Sequence, residues 1–348
     1  MKGLVLEGGG IKGSYQIGAF YAFKKCGIKI DGFAGTSIGA FNAAMLASHK
    51  ELDLLDYWYN LKPGELFDFN KDFVKASNDG DWDLDALMGA FDTFKNIVSN
   101  NGIDNTKMLD SVKDLINYDD LKYSDKDFGL VTVKVKGFKP QYIYKEDIED
   151  NDQLIEYLMA SCYLPIFKEK KIIDDNYYID GGFFDNSPTR LLIDKGYKKI
   201  YVIAIKGIGI SIKARNGDAD VTYITPSRDN GHILELNQEV IRDNIMMGYY
   251  DTLRVIRNYD GYKYLFKRRS HGYYDFLVRN VDRKLKKRVR AYFNAKTNKE
   301  LVLKALEYLM EKDHVNYYDL YNAHRMIRKY RHSIGNFIND FIAQVRFF

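Results

Sequence analysis

The chain has 348 residues, 46% of them hydrophobic and 29% charged, which suits a soluble protein with a sizeable core under a charged cover. Its two cysteines, Cys26 and Cys162, exclude a disulfide framework or a cysteine metal cluster and fit a reducing compartment. The net charge of +4 hides an asymmetry: residues 50–128 hold 18 Asp/Glu against 9 Lys, and residues 251–296 hold 14 Lys/Arg against 4 Asp. Two surfaces with different tasks, or two ordinary solvated regions, account for that pattern equally well.

The N-terminal run MKGLVLEGGG turns to glycine too early for a secretory signal. No stretch approaches the ~20 apolar residues that span a bilayer. The expectation is therefore a cytoplasmic chain, peripheral at a membrane at most. Residues 3–6 read as a strand buried on both faces, and residues 13–26 as a helix closed by Gly27. Residues 30–34 predict a short strand and residues 38–48 an alanine-rich helix. Repeated strand-turn-helix units imply an α/β fold, a mostly parallel sheet sandwiched by helices in three layers.

Residues 50–125 are acidic and rich in turn formers. Residues 130–136 (LVTVKVK) and 141–144 predict a hairpin, and 153–162 a helix. A second hairpin is expected from residues 171–174 and 177–180 around Asp175-Asn176. Asn186-Ser187-Pro188 reads as a helix N-cap, with Gly196 as the stop and residues 199–206 (KIYVIAIK) as a further buried strand. Helical patterns dominate from residue 233 onward. The boundary falls near 215–220, giving a catalytic domain at 1–215 and a helical, basic region at 216–348 packed on it.

Three motifs carry chemistry. Gly8, Gly9, Gly10, Ile11, Lys12 and Gly13 follow the first strand and open a helix. Amides at such a turn bind phosphate or stabilise a developing oxyanion, and a plain tight turn is the alternative. The spacing matches neither GxGxxG nor a P-loop. Gly35-Thr36-Ser37-Ile38-Gly39 is a GxSxG match at a strand-to-helix junction, the setting that a nucleophile elbow requires. Serine needs a base. His49 sits at the far end of the helix that Ser37 begins. His232, His271, His314, His324 and His332 lie in the C-terminal part, where surface or packing roles account for them. Asp180-Gly181-Gly182 supplies a carboxylate at a strand end, with two glycines freeing the proton-acceptor turn.

Taken together, MKGLVLEGGGIKG, FAGTSIGAFNAA and YYIDGGFFDNSP resemble the patatin-like phospholipase family of bacterial type over residues ~1–210. The resemblance implies a Ser37-Asp180 dyad with no histidine, cofactor or catalytic metal, and an oxyanion hole from the amides of residues 8–13. Family members often have Arg at the position of Lys12. The implied activity is release of fatty acids from lipid esters through an acyl-enzyme, by a serine acyl hydrolase of phospholipase A or lysophospholipase type. Two other readings stay open: a Ser-Asp-His carboxylesterase on small soluble esters, and a non-catalytic lipid-binding module.

Residues 79–92 carry spaced aspartates like a calcium loop, but Ala86 stands where the turn needs glycine, so a solvated loop is expected. The same acidic stretch is a candidate lid over Ser37. Leu277, Val281, Leu285, Val289 and Tyr292 form an apolar stripe with Arg279, Arg283, Lys284, Lys286, Lys287, Arg288 and Arg290 between them. Such an element packs on the protein or lies on an anionic membrane surface. Tyrosines among these basic residues do not amount to a nucleic-acid module, and no nucleic-acid partner is expected.

Overall fold

Alternation decides how the first strands pack. In β1 (Lys2–Leu6), β2 (Gly32–Thr36) and β6 (Lys199–Ile203), parallel pairing aligns Phe33 with Leu4 and Leu4 with Tyr201 on one rung. Phe20 and Phe23 of helix α1 (Ser14–Lys25) pack on Phe33 and Tyr201, with ring centroids 6.0 and 4.7 Å apart. The next rung, Ala34, Val5 and Val202, faces the opposite way and packs with Leu191 and Leu192 of α7 (Thr189–Asp194). Strands buried on both faces are therefore apolar apart from their ends.

The structure, a computed structural model, describes residues 1–62, 105–165, 167, 170–207, 209–212, 214, 217–233 and 237–346. The acidic stretch at 79–92, with both its calcium-loop and its lid readings, lies outside these residues. Within them the chain forms two compact units, Met1–Tyr249 and Tyr250–Phe348.

The first unit holds a seven-stranded sheet in the order β4-β3-β2-β1-β6-β7, with β5 also on β3. Here β3 is Asp127–Lys134, β4 Lys139–Tyr144, β5 Tyr178–Asp180 and β7 Asp220–Ile224. Pairing is parallel from β3 through β2, β1 and β6 to β7, and antiparallel where β4 and β5 meet β3. Flanking helices include α2 (Ile38–Ala47), α3 (Glu51–Asn60), α4 (Thr106–Leu115), α5 (Tyr118–Lys122), α6 (Asn151–Ser161) and α8, which starts at Gln238. The mostly parallel sheet between helices is the expected α/β arrangement.

Three expectations need correction. Because β7 pairs along the whole of β6, the sheet runs past the boundary expected near residue 215, and the first unit continues to Tyr249. The strand expected at 30–34 lies two residues later and runs straight into the Ser37 turn. The expected hairpin at 171–180 is reduced to a single Ile173–Asn176 bridge, since Tyr178–Asp180 pairs with β3 instead.

The second unit is helical: the end of α8, then α9 (His271–Leu277), α10 (Arg283–Tyr292), α11 (Asn298–Lys312), α12 (Ala323–Tyr330) and α13 (Phe337–Gln344). Short strands β8 (Leu265–Phe266) and β9 (Leu320–Tyr321) pair in parallel. The apolar stripe of the sequence is split between α9, a turn and α10, so no single helix carries it. Leu277, Val281 and Val289 are buried in this unit's core and Leu285 packs against it, while Tyr292 is 57% exposed. Arg283, Lys284, Lys287 and Arg288 stay exposed on the outer face of α10.

Candidate active site

Register along β3 creates the site. Thr36, the last residue of β2, pairs with Val131. The next rung, Thr132, pairs with Asp180 of β5. One edge of β3 therefore hands over from β2 to β5 between consecutive residues, and Ser37 and Asp180 emerge side by side. Ser37 and Asp180 line the same cavity, and the Ser37 hydroxyl favours the charged form of the Asp180 carboxyl.

Ser37 adopts φ 56° and ψ −131°, which is costly for a residue with a Cβ. Its neighbours hold that turn. A Cβ on Gly35 would come within 2.2 Å of the Gly39 carbonyl oxygen, and one on Gly39 within 2.1 Å of the Leu6 oxygen, so both positions demand glycine. The Ser37 N–H donates to Ser161 Oγ at 2.9 Å, and that hydroxyl donates to the Val131 carbonyl at 2.7 Å. Thr36 Oγ1 donates to the Asp185 carbonyl at 2.8 Å. Ile38 begins α2, whose start has no side-chain cap.

Asp180 is 5% exposed. Burial pushes its carboxyl pKa up to about 6, against the opposing hydrogen bonds from Ser37 and the Gly182 N–H, the latter 2.7 Å from Oδ1. Above that pH the group is a carboxylate able to take a proton. A Cβ on Gly181 would lie 2.2 Å from the Val131 oxygen, so the turn after Asp180 can lie against β3 only as glycine. Cys162 sits beside the pair, and burial pushes its thiol pKa up, keeping it protonated.

The glycine-rich loop is more differentiated than its sequence suggests. Gly8 donates its N–H to Asn186 Oδ1 at 3.0 Å, and Ile11 donates to the Ile233 carbonyl at 2.9 Å. Neither amide is free for an oxyanion. Gly9 and Gly10 line the cavity, and no acceptor among the described residues takes their N–H groups. Lys12 and Gly13 are in the 3-10 turn Gly10–Gly13 and do not line the cavity. The Lys12 ammonium donates to the Lys206 carbonyl at 3.3 Å, and burial lowers its pKa against the pull of Asp229. A buried chain supports the loop from behind: Trp58 donates to Asn42, Asn42 to the Gly13 carbonyl and to Gln16, and Gln16 to the Glu7 carbonyl. Asn42 breaks the apolar run of residues 34–47 for this reason.

Ser37, Asp180, Gly9 and Gly10 share a cavity of about 90 Å³. Its walls are apolar, with Phe41, Tyr57, Trp58, Leu158, Leu164 and Phe167. No histidine is among the described residues that line it. His49 instead pairs with exposed Asp125 at 2.8 Å.

Sequence reasoning missed Ser161 and Asn186. The first lies in a helix whose apolar pattern gave no cue. The second was expected to cap a helix, yet the N-cap of α7 is Pro188, without a side-chain hydrogen bond.

Comparison with known proteins agrees on family. Residues 4–193 match the family model described as patatin-like phospholipase. The rat patatin-like phospholipase domain-containing protein 7 is 25% identical over 221 residues, 62% of this chain and 14% of that protein. Lysophospholipase nte1 of Aspergillus terreus is 56% identical over 45 residues, 13% of this chain and 3% of that one. The chain thus matches only a small part of these relatives' length. Among solved structures, VipD from Legionella pneumophila aligns with a TM-score of 0.45 and 13% identity, over 95% of this chain and 79% of that chain. With a family model matching more than half of its length, the chain belongs to the patatin-like phospholipase family.

Proposed function

We propose that the protein is a serine lipid acyl hydrolase of phospholipase A or lysophospholipase type, working through a Ser37-Asp180 dyad. The observation that carries this reading is the handover on β3, which sets a strained serine against a buried carboxylate at an apolar cavity. Asp180 takes the Ser37 proton as the hydroxyl oxygen attacks the ester carbonyl. The Gly9 and Gly10 amides stabilise the oxyanion that forms, at the uncapped start of the Gly10–Gly13 turn. Collapse of that intermediate expels the alcohol, which receives the proton from Asp180. Water, deprotonated by Asp180, then attacks the acyl-enzyme, and Ser37 leaves with that proton as the fatty acid is released. The apolar walls take the acyl chain.

Among the described residues no helix is long and apolar enough to cross a membrane. We further propose a cytoplasmic enzyme that meets its lipid at a membrane surface, with the exposed basic face of α10 as the contact for anionic lipid.

The test is fatty-acid release from a panel of phospholipids, lysophospholipids and neutral lipids, with Ser37→Ala in parallel. Serine-dependent release is expected, and the lysolipid pattern identifies the ester cleaved. Release by Ser37→Ala at the wild-type rate would sink the assignment. If a single His→Ala change silenced the enzyme, the Ser-Asp-His reading would replace the dyad. Lipid binding without turnover would favour a binding module.

A further inference from the structure

We propose that Asn186 is the positioning residue of the oxyanion loop, an inference that rests on the acyl hydrolase reading. Asn186 is 2% exposed and 178 residues away from Gly8 in sequence. Its Oδ1 accepts the Gly8 N–H at 3.0 Å and its Nδ2 donates to the Gly8 carbonyl at 3.2 Å. A primary amide thus gives Gly8 the two-point pairing that a neighbouring strand would give. The ladder to β6 has already ended, its last bond running from the Glu7 N–H to the Ile203 carbonyl. Asn186 extends the pairing by one residue, on the strand's route into Gly9 and Gly10.

The same residue is tied to the carboxylate turn. Its backbone N–H donates to the Ile210 carbonyl at 2.6 Å, and the Ile210 N–H donates to the Gly182 carbonyl at 2.9 Å. Gly8 has no room for anything else: a Cβ there would sit 2.5 Å from Asn186 Oδ1. Asn186 therefore fixes the distance between the Gly9 and Gly10 amides and Asp180. Isosteres separate its two roles. Leucine keeps the volume and removes both bonds. Aspartate keeps an acceptor for the Gly8 N–H, but it meets the Gly8 carbonyl with a second oxygen unless it is protonated.

The experiment compares the full-length wild type, Asn186→Leu, Asn186→Asp and Ser37→Ala on a short-chain p-nitrophenyl ester from pH 5 to 8. Amide hydrogen exchange of the segment containing residues 8–10 is followed by mass spectrometry. The expected result for Asn186→Leu is a kcat about 100-fold lower, a KM within a few-fold of wild type, and faster exchange at 8–10. Asn186→Asp should be equally impaired at pH 8, with its kcat relative to wild type rising as pH falls. Glu7, Asp180 and Asp185, the titratable groups around Gly8 and Asn186, are common to both proteins and largely cancel in that ratio. Wild-type kcat in either variant, a flat ratio across pH, or unchanged exchange would overturn the proposal. If Asn186→Leu does not fold, the pH ratio and exchange of Asn186→Asp decide. Equal inactivity of wild type and Ser37→Ala would instead defeat the hydrolase reading, and the exchange measurement would still settle whether Asn186 orders the loop.

Discussion

The two units start their helices differently. In the second unit every helix that begins there has a side-chain cap: Ser270 for α9, Asp282 for α10, Thr297 for α11, Asn322 for α12 and Asn336 for α13. In the first unit the Gly10–Gly13 turn and α2 start at Gly9 and Ser37, which line the cavity, and neither has one; α1, α3, α4 and α7, starting at Gly13, Lys50, Asn105 and Pro188 outside its lining, also lack one. In the same unit α5 and α6 are capped by Asn117 and Asp150, and the Gly181–Phe183 turn at the cavity is capped by Asp180 itself. An uncapped start leaves donors unsatisfied, which costs stability. The same donors are what a developing anion requires. At Gly9 and Ser37 the open starts fall where chemistry is expected, whereas the second unit caps each helix that begins in it.

The largest break in that comparison should come from Asp180→Asn, because it moves activity and stability in opposite directions. The folded pKa of about 6 lies above the ordinary 3.8, so the folded state holds the extra proton between those values. The sign follows: stability from this group is fully present at acid pH and declines as pH rises through about 6. At pH 8 the buried carboxylate costs on the order of 3 kcal/mol. Asp180→Asn should lose turnover by ~10⁴-fold while unfolding at higher denaturant than wild type at pH 8, with the gap closing toward pH 4. Wild-type kcat/KM should rise with pH through about 6. A variant no more stable at pH 8 than at pH 4, relative to wild type, would mean that the carboxylate carries no strain.

Ser161→Ala comes next. It strips the acceptor from the Ser37 N–H and the donor from the Val131 carbonyl. Leaving a buried amide unpaired costs about 1–3 kcal/mol. Since that bond holds the strained turn, kcat should fall on the order of tenfold or more with KM little changed. Ser161→Cys, retaining a weak donor and acceptor, should recover part of it. An unchanged kcat would show that the two glycines hold the elbow unaided.

How much of this was legible beforehand depends on range. Gly35 and Gly39 announce the elbow because a local turn needs them, and Asp180-Gly181-Gly182 announces its turn for the same reason. The apolar run of β1 and the alternating run of β3 declare their strands. Contacts between distant segments were silent. Nothing near Asn186 in sequence says that its amide pairs with Gly8, and nothing in residues 8–13 says which N–H groups are already engaged. The domain boundary failed likewise, since β7 reveals its membership only by pairing with β6. The apolar stripe of residues 277–292 had the right burial as far as Val289 but the wrong continuity, because its 3.6-residue period runs across the turn before α10, which Asp282 caps.

The smallest effect isolates the caps themselves. Thr297 Oγ1 accepts the Glu300 N–H at 3.1 Å, and the Glu300 carboxylate accepts the Lys296 N–H at 2.7 Å, a reciprocal start to the 15-residue α11. Thr297→Ala should destabilise by about 1 kcal/mol, read as a lower unfolding midpoint at unchanged slope. Ser37→Ala removes no cap, so at pH 4, where Asp180 is protonated, its stability should stay within about 0.5 kcal/mol of wild type. Ser37→Gly relieves the positive φ and should be more stable than Ser37→Ala by about 1 kcal/mol. If Ser37→Ala cost as much as Thr297→Ala, the hydroxyl would be supporting its helix after all. The contrast between a helix start built for stability and one left open for chemistry would then not hold.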